Sequence, residues 1–307
     1  MTEAARAAEA FLRMPATAGE SLSTGESPWR PGAAGLVQAN PEKQVLAIRG
    51  GRIVGSCVWV PGAGRCATVV APRLAEWDEE VASRLIRGAV RASAEDGARF
   101  IQAVAEPEGR SPLARAIARA GMERLAVLAY LRRKVTEADA RTAGPKGIVW
   151  KRWTPWRRRK FARTIARTYE GSLDCPAMAG LRTAQDALAT HRATGVFRAG
   201  AWHLALEGGE AVGAVLVSEV EGRGDLVYLG VVPEARGRGI GGALVAQAIR
   251  DTARMGLPAL AVAVDTENGP AWRLYEHMGF REIRRRLVFF VPKERFSIAD
   301  CGMRNAD

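Results

Sequence analysis

The sequence predicts an α/β chain built from two similar domains in tandem, and three observations carry that expectation. A hairpin signature occurs twice: Ala47–Gly55 lines up with Ala205–Gly213 at a constant offset of 158 residues, with the turns Gly50-Gly51 and Gly208-Gly209 in register. The same offset relates Gly121-Met122 to Gly279-Phe280, more than 70 residues further along each copy. Finally, the strand-like stretch Leu226–Val232 passes through Pro233 and a glycine-rich turn into a segment where Leu244, Val245, Ala248 and Ile249 recur at helical spacing.

The 307 residues suffice for two ordinary domains, each with its own core. The expected division is residues 1–135, a polar linker at 136–146 ending in turn residues, a second domain at 147–295 and a tail at 296–307. A 48% hydrophobic fraction fits a globular chain, and no run of 18 apolar residues predicts a membrane span. Met1–Met14 reads as a short alanine-rich helix interrupted by Glu3 and Glu9, without the apolar core of a secretory leader. Cys57, Cys66, Cys175 and Cys301 show no metal-ligand spacing, so reduced thiols in a cytoplasmic protein are expected, with no metal.

The formal net charge is +12, and its densest patch is Arg157-Arg158-Arg159-Lys160, between Trp153, Trp156 and Phe161. Basic residues beside aromatics can bind nucleic acid. Here they fall in an amphipathic stretch with Trp156, Phe161, Ile165 and Tyr169 on its apolar side, and a solvated basic face is the reading taken.

In the second domain the pattern predicts a strand at Gly147–Trp153, a helix at Pro155–Tyr169, a loop at Glu170–Gly180 and a helix near Thr183–Arg192. Strands follow at Trp202–Leu206, Glu210–Val220 and Asp225–Val232, then a helix to about Met255. A strand at Pro258–Asp265, the helix of Tyr275, and strands from Phe280 to Pro292 complete the order βααβββαβαβ. The offset leaves no partner for the strand at Gly147–Trp153, so the first copy is expected to lack its opening edge strand or to borrow one.

A glycine-rich turn opening a helix leaves backbone N–H groups unpaired and aimed at one point, reinforced by the helix dipole, which is an arrangement that binds phosphate. Arg236, Gly237, Arg238, Gly239, Ile240, Gly241 and Gly242 form such a turn, with the Arg236 guanidinium expected beside the anion. The turn has neither the Lys-Ser/Thr of a P-loop nor a completed dinucleotide fingerprint. Its spacing, Arg-x-x-Gly-x-Gly after Val-x-Pro, resembles the acyl-CoA loop of the GNAT N-acetyltransferases. A second block agrees: the family pattern Asn-x-x-Ala-x-x-x-Tyr-x-x-x-Gly-Phe is met at Asn268, Ala271, Tyr275, Gly279 and Phe280.

The resemblance implies two tandem domains, each a twisted mixed sheet flanked by helices, and an enzyme that moves an acetyl group from acetyl-CoA directly to a primary amine. It implies that Leu229–Val232 pairs with the pantetheine arm, that the Val231 amide meets the thioester carbonyl, and that Asn268 contacts the arm. Tyr275 matches the family's proton donor to the leaving thiolate, and Ala271 is small where that helix nears the cofactor. Asn268 equally suits a helix N-cap before Gly269-Pro270. Glu170 and Asp174 sit in the loop where family members hold the acceptor. Glu219, Glu221 and Asp225 read as solvated turn residues, and no general base is assigned.

The first domain keeps the scaffold without the site. Its strand Ala67–Pro72 runs into Arg73-Leu74-Ala75-Glu76-Trp77 with no glycine, Tyr275 falls on Ile117, and Asn268 falls on Arg110. This layout resembles tandem members of the family and implies a small-molecule amine as acceptor. Two other readings stay open: an acyl-CoA-binding regulatory module without turnover, and an acetyltransferase that engages protein or nucleic acid through the basic helix at 156–163.

Overall fold

The computed structural model describes residues 43–107, 111–141, 147–178 and 180–291. The helix expected at Met1–Met14, the tail at 296–307, Arg110 and Cys301 lie outside them. The chain forms two compact units, one ending at Leu125 and resuming at Leu287, the other Ala126–Arg286.

In the first unit β1 (Gln44–Arg49) and β2 (Arg52–Gly62) form the expected antiparallel hairpin. Gly50 and Gly51 turn it with φ of +55° and +75°, the left-handed pair that a two-residue turn needs. β3 (Cys66–Val69) pairs antiparallel with β2 and parallel with β5 (Phe100–Ala105), and the two-residue β4 (Arg73–Leu74) lies beside β2. The parallel pair is bridged by α1 (Glu79–Glu95), which buries Ala82, Leu85, Ile86 and Ala89 against Trp59 and Ile101. α2 (Pro112–Arg119) starts on a Ser111 cap and buries Ile117.

α1 stands where the second copy has its glycine turn and helix, and its N-terminus is closed to anions. The Asp78 carboxylate accepts the Glu80 and Val81 amides at 3.0 and 3.1 Å, and Glu79 and Glu80 occupy the first turn. The positive end of this helix dipole is already neutralised by carboxylates.

The second unit contains β6 (Glu123–Lys134) from Ala126 onward, α3 (Glu137–Arg141), β7 (Val149–Arg152), α4 (Arg158–Thr168), α5 (Ala184–Ala193), β8 (Val196–Glu207), β9 (Glu210–Val220), β10 (Arg223–Val231), α6 (Ile240–Arg254), β11 (Ala259–Asp265), α7 (Gly269–His277) and the start of β12 (Arg281–Phe290). From β7 on, this is the predicted order. Sheet pairing runs β7-β8-β9-β10-β11-β6, antiparallel except β10–β11. One face packs on α6 and α7 through Leu244, Val245, Ala248, Leu260, Val262 and Phe280. The other packs on α4 and α5 through Trp153, Phe161, Ile165, Leu188, Trp202 and Leu216. The Gly208-Gly209 turn repeats the first hairpin, with φ of +56° and +89°.

The structure corrects the expected domain boundary. β6 and β12 begin at equivalent positions, Glu123 and Arg281, yet Leu128–Lys134 of β6 pairs with β11 while Leu287–Phe290 of β12 pairs with β5. Each unit is therefore completed by the last strand of the other sequence repeat. The expected linker at 136–146 includes α3, which belongs to the second unit, where Arg133 pairs with Asp139 at 2.8 Å. Where strands are expected from Phe280 to Pro292, the described residues 280–291 carry a single strand, β12.

Candidate active site

β10 and β11 are the only parallel neighbours in the second unit's described pairings, and they touch only at their starts, Gly224↔Leu260 and Asp225↔Ala261. Beyond that vertex the strands part. The opened edge has a defined polarity. Val232 donates its amide to Val212 at 3.0 Å, on the β9 side, so alternation turns the Val231 N–H toward the opening. Leu229, two residues earlier, presents its N–H and C=O the same way.

Pro233 starts a 3-10 turn, and Gly237 and Gly239 follow with φ of +74° and +79°. The first amide after them to donate is Ala243, to Gly239 at 3.2 Å; the six amides of Gly237–Gly242 find no acceptor among the described residues. Gly241 is required for packing, since a Cβ there would lie 3.2 Å from Leu274 of α7. Arg238 pairs with Glu207 at 2.7 Å, leaving its backbone to the nest.

Two expectations need correction here. The Arg236 guanidinium does not face the amide nest: it donates to the carbonyls of Val231 at 3.2 Å, Gly171 at 2.9 Å, Thr168 at 3.0 Å and Glu170 at 2.6 Å. It satisfies the orphan carbonyls at the end of α4, where cations are favoured. Val232 cannot pair along the opening either, because its amide serves Val212 and its carbonyl accepts from Ala235 at 3.0 Å.

On the far side of the opening, Asn268 caps α7, accepting from the Ala271 amide at 3.3 Å. Its side chain also donates to the Asp174 carboxylate. Asp174 and Asp265 form a reciprocal clasp across 91 residues: Asp174 Oδ1 accepts from the Asp265 amide, and Asp265 Oδ2 accepts from the Cys175 amide, each at 3.2 Å. Cys175 takes φ of +46° to make the turn. Crowding by the surrounding protein raises the Asp174 pKa above the usual carboxylate range, and the Asp265 charge adds to it, although the residue keeps solvent access. Tyr275 of α7 is buried with its ring against Phe280, and burial followed by the Asp174 charge pushes its phenol pKa up. Asp174 thus joins Asn268 and Tyr275, while Glu170 stays exposed and contributes its carbonyl to Arg236.

Residues 156–280 match the family model described as Acetyltransferase (GNAT) family. This segment is a GNAT domain. The chain is 39% identical over 88 residues to a mycothiol acetyltransferase of Streptomyces bingchenggensis (strain BCW-1), an alignment covering 28% of this chain and 29% of that protein. It is 32% identical over 176 residues to the mycothiol acetyltransferase of Streptomyces griseus subsp. griseus, covering 56% of each. The aligned stretches thus take in less than two thirds of those relatives' own length. A GCN5-related N-acetyltransferase from Sphaerobacter thermophilus superposes with a TM-score of 0.58 at 17% identity, over 84% of both chains, and shares the fold.

The remaining polar groups of the GNAT domain were not legible as a site in the sequence. Gly224 faces α6, where an added Cβ would meet Thr252, and Leu226 lies in the α6-side core, so Asp225 between them projects from the opposite face. The hairpin turn itself is Glu221-Gly222, and Asp225 is a half-buried strand residue at the vertex, correcting its reading as a solvated turn carboxylate. Burial raises its pKa to about 6, against the lowering effect of Arg223. Further along, β10 bulges between Leu226 and Tyr228. The Tyr228 hydroxyl bonds to Thr168, and its ring meets Tyr169 and His191 at centroid distances of 5.8 and 5.0 Å. Burial pushes the His191 pKa down to about 3, so it is neutral at pH 7. These aromatics come from three elements, and only the bulge and α4–α5 packing assemble them.

Proposed function

We propose that the GNAT domain, completed by β6 and β7, transfers an acetyl group from acetyl-CoA to a small-molecule primary amine within a ternary complex. The observation that carries this reading is the run of six unpaired amides, Gly237–Gly242, at the end of an opened strand edge. Such a nest suits a pyrophosphate, and an edge with outward N–H groups at Leu229 and Val231 and an outward C=O at Leu229 suits an extended amide-bearing arm added as a strand. The mycothiol acetyltransferase relatives support a small-molecule acceptor.

With the arm along β10, the Val231 N–H is placed to polarise the thioester carbonyl and stabilise the oxyanion. The amine attacks the carbonyl carbon and its proton passes through water to solvent, because Asp225 lies six residues of β10, roughly 20 Å, from Val231. The C–S bond then breaks and the sulfur takes a proton from Tyr275, which burial keeps as the phenol at physiological pH. The tyrosine later regains its proton from solvent. Asp174, Tyr169, Tyr228 and His191 border the acceptor side, where a carboxylate and aromatic faces suit a cationic amine before it is deprotonated. The first unit, whose matching helix is capped by Asp78, binds no acetyl-CoA and serves the scaffold.

Calorimetric titration with acetyl-CoA tests this reading. One site per chain is expected, abolished by Gly239→Trp in a folded protein. Two sites would show that the first unit is also competent, and absence of binding would overturn the proposal.

A further inference from the structure

The second unit holds a cavity of about 430 Å³ at the opposite end of α6 from the amide nest. Its wall is an irregularity in the sheet. The β8–β9 register jumps from Phe197↔Ser218 to Trp202↔Leu216, so five steps along β8 face two along β9. The excess bows residues 198–201 out over the C-terminal turn of α6, and three of them, Ala199, Gly200 and Ala201, are too small to fill the space. An added Cβ at Gly200 would meet nothing within 4 Å.

Arginines line this cavity from three elements: Arg152 of β7, Arg198 of β8 and Arg254 of α6. Arg152 pairs in register with His203, whose side chain faces Asp251 of α6, so Arg152 projects to the same side. Its guanidinium meets no acceptor among the described residues. Arg254 comes no nearer than 3.9 Å to Asp251, whose two oxygens accept from Gln247 at 3.0 and 2.9 Å and which lies 2.9 Å from His203. Arg198 is paired with Glu219. Three guanidiniums thus line the cavity, and of these only Arg198 is hydrogen-bonded to a carboxylate among the described residues. The helix C-terminus adds only about half a negative charge.

We propose that this cavity is a second ligand site, taking a small dianionic oxyanion, a phosphate ester or a dicarboxylate, between the Arg152 and Arg254 guanidiniums. Planar guanidinium forks suit either group bidentately, and the two charges of Arg152 and Arg254 face a dianion from both sides. The site is independent of the amide nest, which α6 separates from it by 15 residues, about 22 Å of helix.

The test is calorimetric titration of the full-length protein with inorganic phosphate and, separately, succinate at fixed ionic strength. In Gly239→Trp, where the amide nest is blocked, about one bound anion per chain is expected to remain. Arg152→Gln and Arg254→Gln are each expected to weaken binding roughly 10- to 100-fold, the range for a lost charge-assisted contact. Ala199→Phe, which fills the cavity without changing its charge, is expected to abolish it. The tighter of the two anions identifies the ligand group. Failure of both to bind, binding that survives Arg152→Gln together with Arg254→Gln, or binding lost in Gly239→Trp alone would overturn the proposal.

Discussion

Replacing Asp225 with asparagine is expected to stabilise the protein without disabling it. The carboxyl sits half-buried on β10, and its pKa rises from 3.8 to about 6 because burial disfavours the charged form. A group whose folded pKa lies above its unfolded value binds its proton more tightly when folded. Below pH 4 it is protonated in both states and costs nothing. As pH rises from about 4 to 6, the unfolded chain ionises first, and above 6 the folded chain carries the whole penalty. At 1.36 kcal/mol per pH unit the rise corresponds to about 3 kcal/mol, a ceiling because the group keeps some solvent. Asp225→Asn removes the charge, so urea unfolding at pH 8 is expected to show a gain of up to about 3 kcal/mol that disappears at pH 4. Because Asp225 lies six residues of β10, roughly 20 Å, from Val231, kcat/KM of the variant is expected to stay close to that of the parent. A variant no more stable than the parent at pH 8, or a difference unchanged between pH 4 and 8, would refute the burial argument. A loss of kcat/KM of roughly 10²-fold or more would refute its separation from the reacting groups.

Tyr275→Phe leaves the ring against Phe280 and removes only the hydroxyl, so steady-state kinetics are expected to show kcat reduced by roughly 10²-fold or more with the KM for acetyl-CoA little changed. Arg236→Ala removes a fork that holds four carbonyls, and a loss of about 1–3 kcal/mol in denaturant midpoint is expected, together with faster amide hydrogen exchange across residues 168–171. Phe161→Ala opens a hole in the core under α4, beside Trp153 at 5.0 Å, and about 3–5 kcal/mol of stability is expected to go in chemical denaturation.

Much of the second unit was legible because its signals are local. The two-glycine turns at 50–51 and 208–209, and Gly121 and Gly279, all adopt the positive φ that glycine permits, which is why the repeat survives in the sequence at one offset. The glycine turn before α6 announced its own unpaired amides. Arg236 misled for a physical reason: a guanidinium in an anion-binding motif and one capping the end of α4 look alike until the helix sixty-odd residues earlier is in place. Asp225 misled because its burial depends on where the hairpin turns, and Glu221-Gly222 supplied the turn four residues earlier.

By itself the sequence determined the two repeats, the order of elements and the glycine turn before α6, since each rests on backbone preference or on spacing within a few turns. Only tertiary structure decided the exchange of β6 and β12, because two strands with the same pattern satisfy either partner and the choice is made by pairing across the chain. It likewise decided the clasp of Asp174 with Asp265, whose 91-residue separation no local preference can encode, and with it which carboxylate borders the reacting groups.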